Sequence, residues 1–173
     1  MEKFRGRLSL NSRVKWVEEI ELSLTPGDWQ RIQEGPFGSV LSMIRRVQGS
    51  GQLIHAMMFN RVHTTKKYET WYRVRGQVAR FSLTEFALIS GLNCGTLPPA
   101  YSSKPNKNVV SDFFEGKEKV AVGDLYKLFL KAQGQTTYKF KLALLMIVEG
   151  VLIGSDKGRF VRPWIVRLLR DMD

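Results

Sequence analysis

Residues 138–154, YKFKLALLMIVEGVLIG, constrain this 173-residue chain more than any other stretch. From Leu142 to Val148 every residue is apolar, so a helix here has no polar face to offer to water. Such a helix must be buried on all sides. The apolar run stops at Glu149 and is too short to span a bilayer. We therefore expect a central core helix with the rest of the chain packed around it. Hydrophobic residues make up 43% of the chain, which supplies such a core and argues against wholesale disorder.

Around that helix the pattern is mostly helical. SRVKWVEEIELSL (residues 12–24) places Val14, Val17, Ile20 and Leu24 near helical spacing. Thr25-Pro26-Gly27-Asp28 offers a cap, a proline at the first helical position and an acid three residues on, opening a short helix to Gln33 that Gly35-Pro36 stops. FGSVLSMIRRV and QLIHAMMFNRV read as two more helices, VVSDFF as a short one, and VGDLYKLFLKAQG as the partner of the core helix across a turn at Gly134-Gln135. VRPWIVRLLRDMD closes the chain as an amphipathic helix with Pro163 near its first turn. YETWYRV and QVARFS differ: they are aromatic, β-branched and alternating, and they flank Arg75-Gly76. They predict a two-stranded antiparallel hairpin, residues 68–74 against 77–81. The fold class expected is α+β, a mainly helical single domain over residues 12–173. A basic, flexible stretch (1–11) precedes it, and a proline-rich, lysine-bearing loop at 95–108 is expected to be mobile.

RFSLTEFALISGLNCG (residues 80–95) is the best-punctuated segment. Ser82 and Glu85 form a capping box, with Phe81 and Phe86 as its hydrophobic staple. Gly91 ends the helix in a left-handed conformation, with Leu92 folding back as in a Schellman close. Cys94 falls in the turn beyond. It is the only cysteine, so the chain can form no internal disulfide and no multi-cysteine zinc site, as befits an intracellular protein. A catalytic cysteine needs a base and a lowered pKa. The only histidines, His55 and His63, stand in no recognised cysteine-hydrolase pattern. Ser82, Glu85, Gly91 and Cys94 are read as structural.

No phosphate loop, metal-ligand cluster or catalytic set stands out, so no enzyme activity, cofactor or metal is expected. GSDKG (154–158) is a turn. The N-terminus lacks the apolar core of a secretory signal.

Charge is the informative feature. Twenty-seven basic against 16 acidic residues give +11, which calls for a polyanionic partner. Arg61, His63, Lys66, Lys67, Arg73, Arg75 and Arg80 crowd into twenty positions opposed only by Glu69, interleaved with Tyr68, Trp71 and Tyr72. A ribbon carrying such residues can set Arg and Lys on phosphates and one or two Arg on guanine edges. Lys104, Asn106, Lys107 and Asn108 extend the set into the loop. Lys139, Lys141, Arg159, Arg162, Arg167 and Arg170 form a third group. An ordinary solvated surface is the plain alternative for each of these groups.

RFSLTEFALISGLNCG, preceded by GPFGSVL and LIHAMMF and followed by KLALLMIVEGVLIG, resembles a plant domain of unknown function over about residues 24–173. That domain occurs in proteins of Mutator-like transposons, often ahead of a Ulp-type SUMO-protease domain. Within that group the chain is similar to the VANC anti-silencing proteins of VANDAL transposons. The resemblance implies a nuclear, sequence-specific binder of short double-stranded DNA motifs in its own element, which promotes loss of DNA methylation. It implies no catalytic residues. Silencing or methylation-pathway proteins are further partners on this reading; no membrane and no small-molecule substrate are expected. The alternative is a non-catalytic protein-interaction module of a Ulp-type protease protein, with Trp71, Tyr72 and Trp164 as exposed anchors. RNA stays open as the polymer.

Overall fold

The computed structural model describes residues 12–46, 50–96, 108–170 and 172. The fold is mainly helical α+β. Its internal contacts divide the described chain into two compact units: residues 32–96, and residues 12–31 together with 108–172.

The second unit holds the core helix. It contains α1 (Lys15–Ser23), most of α2 (Pro26–Glu34), α6 (Val109–Phe113), α7 (Leu125–Lys131), α8 (Thr136–Met146) and α9 (Pro163–Arg170). As expected, α8 is buried without interruption from Leu142 to Met146. It then widens into a π-helical turn at Ile147–Leu152. That turn solves the problem Glu149 poses. The carboxylate is fully buried, and it accepts hydrogen bonds from the Ser155 hydroxyl (2.8 Å), the Arg162 backbone N–H (2.8 Å) and the Arg162 guanidinium. A buried charge is tolerated when it is both paired and hydrogen-bonded in this way.

Gly150, on the same turn, is required by contact. A Cβ there would lie 2.3 Å from the Trp16 ring of α1. The backbone bond from Arg13 N–H to the Gly150 carbonyl (2.8 Å) holds α1 at that distance. Before α2, Thr25 and Asp28 cap each other: the Asp28 N–H donates to the Thr25 hydroxyl oxygen (3.2 Å), which donates to the carboxylate (2.8 Å). An antiparallel bridge between Ala121 and Phe160 ties the approach to α7 against the approach to α9.

The first unit contains α3 (Gly38–Arg46), α4 (Gly51–Phe59), a sheet and α5 (Leu83–Ser90). The sheet corrects the two-stranded expectation. It has three antiparallel strands in the order β1 (Arg61–Val62), β2 (Glu69–Val74), β3 (Gln77–Ser82). The extra strand arises because Arg61 pairs with Tyr72 and Val62 with Trp71, and the Arg73 N–H reaches the Asn60 carbonyl at 2.8 Å. Two residues lack the alternation that betrays a strand in sequence.

At the α2–α3 turn a Cβ on Gly38 would fall 1.7 Å from the Gln33 carbonyl oxygen, so no side chain fits. The α5 capping box forms: Glu85 accepts from the Ser82 N–H at 2.6 Å and from its hydroxyl. Gly91 closes α5 at φ 72°. The close is not the Schellman pattern expected. The Leu92 N–H instead goes to the hydroxyl of buried Ser90 (3.2 Å), which donates to the Phe86 carbonyl (2.6 Å). A serine at the last helical position competes for that donor. Cys94 is half-buried in the following turn, where the Gly95 N–H bonds the Asn93 side chain at 2.9 Å.

Candidate nucleic-acid interface

The hairpin is built by its turn. Arg75 (φ 50°) and Gly76 (φ 80°) both take positive φ between paired Val74 and Gln77, as a type I′ turn demands. Glycine does this freely. Arginine does not, and asparagine or aspartate is the usual occupant of its position. An arginine therefore stands at the tip at some conformational cost, with its side chain exposed.

Register then sorts the side chains. Because successive residues alternate faces, Arg61, Thr70, Tyr72, Ala79 and Phe81 share one face, while Val62, Glu69, Trp71, Arg73, Val78 and Arg80 share the other. The dense cluster seen in sequence is thus split. On the second face the cations are partly answered: Arg80 pairs with Glu85 at 3.0 Å, and the Trp71 indole N–H donates to Glu69 at 2.9 Å. The Ser82 hydroxyl, and after it Arg80, donate to the Glu85 carboxyl and push it down to about 2.

On the first face Arg61 and Lys66 come together. They line an open groove of about 460 Å³ with Tyr68, Thr70, Phe81 and Phe86. Tyr68 is 80% exposed and itself takes positive φ (61°), which turns the chain into β2. His63 and Lys67 are exposed on the intervening loop, where the Lys66 N–H bonds the Thr64 hydroxyl at 3.2 Å. Sequence reasoning placed Tyr68 among the cations but had no means of seeing its φ or its exposure.

Other expected positions fare differently. Lys104, Asn106 and Lys107 lie outside the described residues, as does most of the 95–108 loop and all of 1–11. Asn108 is exposed at the start of α6. Much of the third basic group is engaged within its own unit. Lys139 donates to the Ser23 carbonyl (2.8 Å), Lys141 to the Arg170 carbonyl (3.0 Å), and Arg162 to Glu149; Arg167 is buried. Trp71 and Tyr72, on the central strand β2, and Trp164, on α9, are half-buried rather than exposed. Among the described residues no cluster of three His, Cys, Asp or Glu could hold a metal, and no helix is long and apolar enough to cross a membrane.

A family model for a domain of unknown function, DUF1985, matches residues 58–173. The chain belongs to the DUF1985 family. The DUF1985 match takes in the whole sheet, α5, and all of the second unit from α6 onward. GPFGSVL and most of LIHAMMF precede it, so the likeness read from residue 24 is carried by the family from residue 58. No curated protein and no solved structure matches the chain.

Proposed function

We propose that this DUF1985 chain is a sequence-specific double-stranded DNA-binding domain of a plant transposon-encoded anti-silencing protein, acting in the nucleus to bring about loss of methylation at its own element. The observation that carries the binding step is the convergence of Arg61 and Lys66 on one open groove beside exposed Tyr68, at the opposite end of a six-residue ribbon from the Arg75 tip. Five residue steps along β2 separate those ends by about 17 Å. Arg61 and Lys66 meet phosphates, and Arg75, held out by its turn, reaches base edges. The net charge of +11 supplies the long-range attraction. The transposon setting and the anti-silencing outcome rest on the sequence resemblance alone. Titration of a duplex at several salt concentrations tests the binding step. Log affinity should fall linearly with log salt, by about 0.9 per phosphate contacted. Affinity indifferent to salt, or no binding at low salt, would sink it.

One observation favours a second reading, a non-catalytic adaptor of a protease-bearing protein. α4 and α5 leave Leu53, Met58, Phe59, Leu88 and Ile89 between 56% and 80% exposed. Apolar side chains concentrated in this way mark protein contacts. A chain that ignores DNA but captures a protein partner through Leu88 and Ile89 would put this reading first.

A further inference from the structure

The register of the ribbon decides where each backbone group of β3 points. Val74 and Gln77 flank a two-residue turn, so they form a hydrogen-bonded pair, and the pairs alternate from there along the ladder. Tyr72 with Ala79 and Thr70 with Phe81 exchange hydrogen bonds. Arg73 with Val78, Trp71 with Arg80 and Glu69 with Ser82 turn theirs outward. Three contacts agree. The Arg73 N–H leaves β3 for the Asn60 carbonyl (2.8 Å), and the Ser82 N–H leaves β2 for the Glu85 carboxylate (2.6 Å). The Phe81 carbonyl faces β2, where the Thr70 hydroxyl meets it at 3.3 Å.

Val78 and Arg80 therefore present their N–H and C=O groups at the outer edge of the sheet. β3 is the last strand in the order, and no described residue pairs with that edge. Glu85, from the first turn of α5, closes it at Ser82. The rest is open. Residues 77–81 are exposed and run in unbroken register with β2, with no bulge and no proline. Such an edge is a template for another strand.

The two faces of the edge set the chemistry of that strand. Val78 and Arg80 stand on one face, with Arg73 opposite Val78 on β2. The acids there are engaged, Glu69 by the Trp71 indole and Glu85 by Ser82 and Arg80. Arg73 is exposed with no ion pair among the described residues, and the Arg80 side chain is 46% exposed. On the other face Ala79 and Phe81 are apolar and exposed.

We infer that this edge receives an extended acidic segment of a partner protein as an added antiparallel strand. Two of its residues, one opposite Val78 and one opposite Arg80, exchange four backbone hydrogen bonds with them and carry aspartate or glutamate on the arginine face. The residue between them lies beside Ala79 and is apolar, packing towards Phe81. Neighbouring strands lie about 5 Å apart, so the acid opposite Val78 stands about 10 Å from the Arg73 backbone, within reach of a guanidinium. A second copy of this chain is the poorer occupant, because it brings arginine rather than acid to the seam. The acids emerge on the face opposite Arg61, so the inference stands apart from the duplex-binding reading.

Amide hydrogen exchange of the whole chain, with and without an octapeptide of alternating glutamate and valine, tests it. In the free chain the Val78 and Arg80 N–H groups should exchange fast, and those of Ala79 and Phe81 slowly. The peptide should saturate below about 1 mM and then slow Val78 and Arg80 about tenfold or more, with Ala79 and Phe81 little changed. Val78→Pro removes an outward donor that the ladder does not use, so it should abolish binding while Ala79 and Phe81 keep their protection. Arg73→Glu leaves every backbone group in place and should weaken binding about fivefold. The same peptide with lysine for glutamate should not bind. No saturable binding, protection spread evenly over the chain, or binding indifferent to Arg73→Glu or to the charge of the peptide overturns the proposal. So does self-association of the free chain that protects Val78 and Arg80 without peptide. Should Val78→Pro unfold the ribbon, the exchange pattern of the native chain and Arg73→Glu still decide. Failure of duplex binding changes none of these outcomes.

Discussion

Arg61 and Arg73 point to opposite faces of one ribbon, because β1 pairs Arg61 with Tyr72, the neighbour of Arg73. A duplex laid on one face leaves the other in water. Glu69 shares the face of Arg73, and Glu85 already holds Arg80 there. The face of Arg61, continuous with the Lys66 groove, is the one suited to phosphates. Replacing Arg61 and Lys66 together by alanine should lower the slope of log affinity against log salt by about 1.8. Arg73→Ala should change it far less. Equal losses from both would mean that the ribbon is enclosed rather than laid flat. Filter binding across a salt series reads the difference.

Arg75 separates stability from function. Arg75→Asn places a favoured residue at a position of positive φ, so the unfolding free energy should rise by about 0.5–1 kcal/mol. The same change removes the cation at the tip, so preference among DNA sequences should relax. Thermal unfolding and competition binding on one preparation check both halves. A variant that gains stability and keeps full sequence preference would remove Arg75 from the reading surface.

The α5 cap carries an acid signature. The Glu85 carboxyl sits at about 2, below its ordinary 4.5, because Ser82 and Arg80 both donate to it. A depressed carboxyl stabilises the fold above its unfolded pKa, and that contribution is lost as pH falls through its folded pKa. The stabilisation should therefore be complete near neutrality, diminish from pH 4.5 downward and vanish by about pH 2. Unfolding midpoints of the native chain and Glu85→Gln, followed through that window, should converge. A constant gap would mean that the charge of Glu85 is irrelevant to its role.

Gly150 and Glu149 make the π-turn irreplaceable. Gly150→Ala drives a methyl into the Trp16 ring and should cost about 1–3 kcal/mol or more. Glu149→Gln leaves the Arg162 guanidinium without its counter-charge and should cost about 3–5 kcal/mol. Denaturant unfolding measures both. Near-neutral results would show that α1 can shift away from the turn.

Elements with a local cause could be read from sequence. The all-apolar stretch of α8 announces its burial, Ser82 and Glu85 announce the start of α5, and Pro163 announces α9. What stayed hidden depends on partners distant in the chain. β1 exists only through its pairing with Tyr72 and Trp71, and the partners that satisfy Glu149 on the π-turn, Ser155 and Arg162, lie six and thirteen residues on. The site divides the same way. Proximity in sequence gathered Arg61, Arg73 and Arg80 into one cluster, and strand register then parted them.

The most direct measurement of the central claim is selection from a pool of random duplex DNA over several rounds at physiological salt, followed by sequencing. The account predicts one short enriched motif, preferred about a thousandfold or more over random duplex and relaxed at one or two positions by Arg75→Ala. A pool that stays flat, with binding only at low salt, would contradict it and leave the charge of this chain a generic one.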